Sequence, residues 1–213
     1  GLEMVYAPAH SWPLDSVLDS KSMEDYNALW RMLMKLHRML DAGRMLWSLL
    51  KDMTKVRGHF TVGQINSLSL IRHDMQHFIN VLQDHLKTQV LHVQWVRLER
   101  ELGDTQQVGQ IQEVHRCYLD RLLAGCLLRR SSAGALKVIT SMFDLVLTFC
   151  AQLVAAERCH RSSENQVTAT RSFQEMTRIG QLFRKHQEFL GRLLRKQVEA
   201  APVPALRMQA AEL

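Results

Sequence analysis

The sequence predicts an all-α protein, an elongated bundle of about five helices, one of them unusually long. Apolar residues recur every three or four positions through most of the chain, the period of a helix with one buried face. No segment alternates apolar and polar residues with the period of two that a half-buried strand requires. The stretch from Ser69 to Glu101 holds neither glycine nor proline, so nothing in it breaks a helix. Nearly half of the 213 residues are apolar, enough to build a core within one domain. The expected organisation is an N-terminal arm with a short helical turn over 1–20, a helical bundle over 21–200 and a tail over 201–213.

The arm holds Tyr6, Pro8, Trp12 and Pro13, a composition for extended chain. Ser22 with Asp25 reads as a capping box for the first helix. Its stripe runs Tyr26, Leu29, Leu33, Leu36, Leu40, Gly43, Trp47 and Leu50. Gly43 on that face costs about 1 kcal/mol relative to alanine and marks a close helix crossing. Met23, Met32, Met34, Met39 and Met45 give this helix adaptable side chains, suited to a groove or, more simply, to core and seam packing. Residues 57–63 (RGHFTVG) read as a loop.

The long helix is expected from Gln64 to Leu102, roughly 55–60 Å at 1.5 Å per residue. Its buried stripe is Leu68, Ile71, Met75, Phe78, Leu82, Leu86, Val93 and Val96, interrupted by Gln89. His73, His77, Asn80, Asp84 and Lys87 make the opposite, polar face. Beyond Lys87 that face turns apolar with Leu91, Trp95 and Leu98, which predicts a helix running from surface into core with Trp95 buried.

Gly103 and Asp104 stop this element and start the next, with Asp104 and Gln107 as an N-cap box. The third helix takes Val108, Ile111, His115, Tyr118 and Leu122 as its stripe. Ser131-Ser132 cap a fourth, whose Ile139, Met142, Phe143, Val146, Phe149, Cys150 and Leu153 are core residues. Residues 157–165 read as a polar loop. The fifth helix, Val167 to Glu199, sets Phe173, Met176, Phe183, Leu190 and Leu194 against Arg171, Arg178, Arg184, Lys185, Arg192, Arg195 and Lys196. Pro202 and Pro204 end it.

A net charge of +6 favours acidic partners. The four cysteines stand singly within helical patterns, as reduced core thiols do. No apolar run of membrane-span length and no signal peptide is expected. The opening Gly1-Leu2-Glu3-Met4 suggests a piece of a longer or processed chain.

His73-Asp74-Met75-Gln76-His77 imitates a zinc-protease HExxH, with two histidines at i and i+4 on one face. Asp74 is one carbon shorter than the general-base glutamate, no third ligand is supplied, and Met75 is a core position. Histidines lining a helix seam are the preferred reading. A metal-dependent hydrolase using His73 and His77 is the rival, and a basic helical module binding nucleic acid or lipid through the fifth helix is the other. No nucleophile elbow, phosphate loop or paired-carboxylate site is present on which to build an enzyme.

The run from Arg72 to Trp95, RHDMQHFINVLQDHLKTQVLHVQW, resembles the signature helix of the γ-tubulin complex component family, its sixth component in particular. Asp74 replaces the family's Glu, and Phe78-Ile79 takes the place of Phe-Val. Tyr6 with Trp12-Pro13-Leu14 is similar to the family's lead-in, and Tyr26, Leu29, Trp30 and Leu36 to its next segment. Asp104, Ile111, His115, Tyr118-Leu119 and Cys126-Leu127-Leu128 resemble a further one. The likeness covers Tyr6 to Val198, and Ala200 to Leu213 departs from the family's ending.

That resemblance implies a C-terminal γ-tubulin-binding domain, present in part. It implies a scaffold without catalysis or cofactor, GTP belonging to γ-tubulin itself. The implied partners are γ-tubulin and other complex components, with no nucleic acid and no membrane. The implied setting is the cytoplasm and cytoskeleton, at the centrosome or another microtubule organising centre, including the spindle. The large N-terminal half of such proteins, which makes lateral contacts, lies outside the likeness. Exposed faces supply the candidate protein-binding residues His73, Asn80, Asp84, Lys87, Arg178, Arg184 and Arg192.

Overall fold

The first long helix starts on an aspartate. In the structure, a computed structural model describing residues 17–55, 60–105, 107–161 and 166–200, Asp19 Oδ1 accepts the Ser22 backbone N–H at 2.7 Å. Asp19 therefore caps α1 (Ser20–Lys55), not the Ser22 and Asp25 expected from sequence. Those hydrogen bonds hold the Asp19 carboxyl below its ordinary range. The arm and tail, with Pro202 and Pro204, lie outside the described residues.

Thr61 opens the next element with a complete capping box. Its hydroxyl accepts from the Gln64 N–H at 3.3 Å while Gln64 Oε1 accepts from the Thr61 N–H at 2.8 Å. Helix α2 (Val62–Asp84) thus begins inside the stretch read as a loop. It continues without a break through a π-helical segment (His85–His92) into α3 (Val93–Gly103), forming one long rod.

The buried residues of the rod correct the expected stripe. A π turn bonds i to i+5, one residue wider than an α turn. Ile71, Met75 and Ile79 are buried along α2, before those wider turns begin, and Leu86, Val90 and Leu98 are buried from the π segment onward. Phe78 is half-buried, and Gln89, Val93 and Val96 face outward. Trp95 is 51% exposed and Leu91 half-buried, so the rod does not run from surface to core. The inward line already passes through Ile79 and not Phe78 within α2, and from the π segment onward it takes Val90 in place of Val93 and Val96.

Asp104 ends α3 as its C-cap, and Gln107, with no side-chain cap bond, precedes α4 (Val108–Gly125). The Asp104–Gln107 box is therefore not formed. At the end of α4 the Leu128 N–H bonds to Leu123 O at 2.8 Å and the Leu127 N–H to Ala124 O at 3.1 Å. This is a Schellman closure, with Leu127 at φ 59° in the place glycine usually takes.

The chain divides into two compact units, Gly1–Ala133 and Gly134–Leu213. In the first, α1 runs antiparallel to the rod. It comes close at Gly43, where an added Cβ would run into Gln76 Oε1, so the expected close crossing is present. Leu36, Met39, Leu46 and Leu50 fill this interface, whereas Trp47 and Met45 turn outward and Lys51 Nζ lies 4.8 Å over the Trp47 ring. Helix α4 packs on α3, the π segment and α1.

A 3-10 turn (Arg130–Ser132) leads into α5 (Ala133–Arg161), which continues through residues read as a polar loop. In the second unit α5 buries Ile139, Met142, Phe143, Val146, Phe149 and Leu153. Helix α6 (Gln166–Ala200) buries Met176, Ile179, Phe183 and Leu190. The described residues are helical almost throughout and include no strand, so the all-α class holds.

The expectation of no membrane-length stretch is corrected. Within Val108–Arg158 the chain is long and apolar enough to cross a membrane by length and composition. The cause is α5, whose large apolar residues form a buried face opposite exposed Lys137 and Asp144. A core helix meets the same criterion.

Candidate protein-binding surface

His73, Asn80, Asp84 and Lys87 all lie on the exposed side of the rod. Asn80 Oδ1 accepts from Gln76 Nε2 at 2.8 Å, which ties this stripe to the Gly43 crossing. The Asp84 carbonyl accepts the Thr88 hydroxyl at 2.6 Å as the π segment begins. Lys87 has no ion-pair partner among the described residues.

Arg178, Arg184 and Arg192 are exposed on α6, in the second unit. Glu175 grips Arg178 through two hydrogen bonds of 2.7 and 2.9 Å, which lower the glutamate's pKa and raise the arginine's. At about 3.6 residues per turn, Arg184 stands roughly 120° around the helix from Arg178, so these arginines do not form one narrow stripe. Phe189, 51% exposed, interrupts the basic surface.

His73 and His77 are both exposed, with Met75 buried between them. Among the described residues no three His, Cys, Asp or Glu side chains gather as a metal site. Cys126 and Cys150 are buried free thiols, and burial pushes Cys126 up to about 11. Both are poor nucleophiles at neutral pH. Cys159 lies where side chains are not described.

Two features escaped the sequence reading. One is an open groove of about 480 Å³ between α1 and the π segment, reaching from Leu33 and Met34 to Lys87 and Leu91. Its only sequence signal was the methionine content of α1. The other is a hydrogen bond of 2.8 Å between Tyr26 Oη and His115 Nε2, joining α1 to α4 across 89 positions. Both residues were placed on buried stripes, but nothing in the sequence paired them. Glu101 makes a second clasp in this unit, accepting from Arg97 at 2.7 Å and Arg121 at 3.1 Å. Burial works to raise its pKa, but these hydrogen bonds prevail and the net shift is downward.

Burial holds the His115 pKa below 6.5, against a smaller upward pull from Asp19. With the ring neutral, Tyr26 donates to Nε2. As pH falls, the unfolded chain, with histidine near 6.5, takes up the proton first. The stabilisation is therefore full above about pH 6.5 and is lost as pH falls from there through the lower folded value. Urea midpoints should drop between about pH 7 and pH 5 more for the parent than for His115→Gln. Equal drops would show that His115 does not carry this dependence.

A model of the family described as Gamma tubulin complex component C-terminal matches residues 2–209. Gamma-tubulin complex component 6 of Mus musculus is 33% identical over 152 residues, covering 68% of this chain and 8% of that protein. Its Homo sapiens counterpart is 32% identical over 145 residues, with the same shares. Gamma-tubulin complex component 2 of Arabidopsis thaliana is 25% identical over 202 residues, 90% of this chain and 29% of its own length. The chain thus spans less than a tenth of the two component 6 relatives.

Proposed function

The chain belongs to the γ-tubulin complex component family, and from that membership we propose that it is a non-enzymatic scaffold module that binds γ-tubulin in a ring complex and supports microtubule nucleation. The family match over residues 2–209 is the observation that carries this reading. Long helices tied by the Tyr26–His115 and Glu101 clasps suit a template, which must hold its γ-tubulins at fixed spacing and tilt. The reading takes residues 21–200 as the binding portion, the rod counting as one of about five helices. It includes neighbouring complex components as partners, a microtubule organising centre such as the centrosome as location, and neither nucleic acid nor membrane. No cofactor belongs to this chain.

The contact surfaces proposed are the rod stripe His73, Asn80, Asp84 and Lys87 and the α6 arginines Arg178, Arg184 and Arg192. Excess positive charge speeds encounter with an acidic partner and acts over a Debye length of ~8 Å at physiological salt. Reversing Arg178, Arg184 and Arg192 to glutamate should slow association with purified γ-tubulin in stopped-flow measurements, with the effect fading at high salt. Lys87→Glu with Asn80→Glu tests the rod in the same way. These side chains are exposed, so helical circular dichroism should not change. Parental rates and affinities in both variants would remove both surfaces from the interface.

A further inference from the structure

We propose that the groove between α1 and the π segment docks an acidic amphipathic helix from a protein partner. The inference does not rest on the γ-tubulin reading. It starts from how the groove is made. Helix α1 and the rod approach closely at Gly43, where no Cβ separates them from Gln76. About two turns further along, the wider π turns take over the rod, and the groove of about 480 Å³ lies between the two helices there. Segments of π-helix recur at functional sites. Here the segment carries the buried Leu86 and Val90.

The floor is apolar, set by buried Leu36, Leu40 and Leu86, and the rim carries Met34, 40% exposed, and half-buried Leu91. A methionine at the rim adapts to side chains of different shape. The charge is one-sided. Among the described residues Lys87 and His37 are the ionisable lining groups, and no carboxylate lines the groove. Asp41 sits 3.7 Å from His37 and 3.0 Å from Arg44, and Asp84 lies one turn before Lys87. Along α1 from Leu33 to Arg44, Lys35, Arg38 and Arg44 stand against Asp41 alone.

These features select the occupant. A groove open along one side does not enclose most of a small molecule's surface, as ligand pockets do. A second copy related by a two-fold axis would bring Lys87 and its neighbouring cations toward their own counterparts. A concave trough between two helices suits a third helix presenting apolar residues at i, i+4 and i+7. A carboxylate flanking those residues would pair with Lys87.

The test uses a displayed library of short peptides selected against the full chain and counter-selected against Met34→Asp/Leu91→Asp. Both substitutions are at the rim, and an unchanged urea midpoint verifies the fold. Enriched peptides should carry the helical apolar pattern beside Asp or Glu. By fluorescence anisotropy, a synthetic peptide of that kind should bind the double variant about tenfold more weakly. Lys87→Glu should weaken the same peptide and restore binding to its Glu-to-Lys counterpart, a swap that misfolding cannot produce. The proposal is overturned if enriched peptides are basic or lack the pattern. It is equally overturned if they ignore the rim substitutions or Lys87→Glu. Self-association in sedimentation that the double variant abolishes would make the occupant a second copy and also overturn it.

Discussion

Ile79→Ala is expected to lower the unfolding free energy by about 2–5 kcal/mol, while Phe78→Ala lowers it by distinctly less. Ile79 is 1% exposed on the inward side of the rod, and the half-buried Phe78 sits beside that line. Truncating a fully buried branched side chain loses its transfer free energy and leaves a cavity between packed helices that cannot collapse freely. A half-buried phenylalanine already keeps part of its ring in water, and its neighbours relax outward more readily. Urea denaturation of both variants checks the order. The reverse order would return Phe78 to the inward face and remove the register described for the rod.

Gly125→Ala is expected to cost about 1–3 kcal/mol, whereas Gly43→Ala is expected to be near neutral. Both glycines face another helix with less space than a Cβ needs. At Gly125 the added carbon would lie 2.6 and 2.9 Å from the two Val90 methyls and 3.3 Å from its Cβ. Valine is short, β-branched and buried, and no rotamer withdraws it while its Cβ stays in place. Either the end of α4 or the π segment must shift. At Gly43 the obstacle is the end of a long glutamine side chain, which swings away at the loss of its hydrogen bond to Asn80. Alanine's better helix propensity, worth about 1 kcal/mol, offsets that loss. Urea midpoints of the two variants should therefore separate, and equal midpoints would refute the Gly125–Val90 contact as the fixed point between α4 and the π segment.

The all-α class was legible because apolar residues at helical spacing run through the described chain. The stripes of α5 and α6 were read almost residue by residue, since Ile139 to Leu153 and Met176 to Leu190 keep one period throughout. On the rod Leu68, Ile71, Met75 and Leu86 match the expected stripe, whereas Ile79 is buried in place of Phe78 and Val90 in place of Val93 and Val96. A π segment arises from tertiary packing, here including the contact of Val90 with the end of α4, and leaves no periodic mark of its own. Trp95 and Trp47 fall on the expected core stripes by size and spacing, yet both are exposed.

Caps were misread where competing side chains stood within a few residues. Asp19 outcompeted Ser22, and Asp104 terminated one helix instead of starting another. The exposure of the candidate contact residues was legible from their polarity. The groove was not, because a concavity depends on the distance between two helices more than on the character of either.

Binding of the unmodified chain to purified γ-tubulin tests the central claim most directly. Biolayer interferometry with immobilised chain should show saturable binding that weakens in rate, more than in dissociation, as salt is raised. No binding at any γ-tubulin concentration up to the solubility limit, by a chain whose circular dichroism is fully helical, would contradict the scaffold reading.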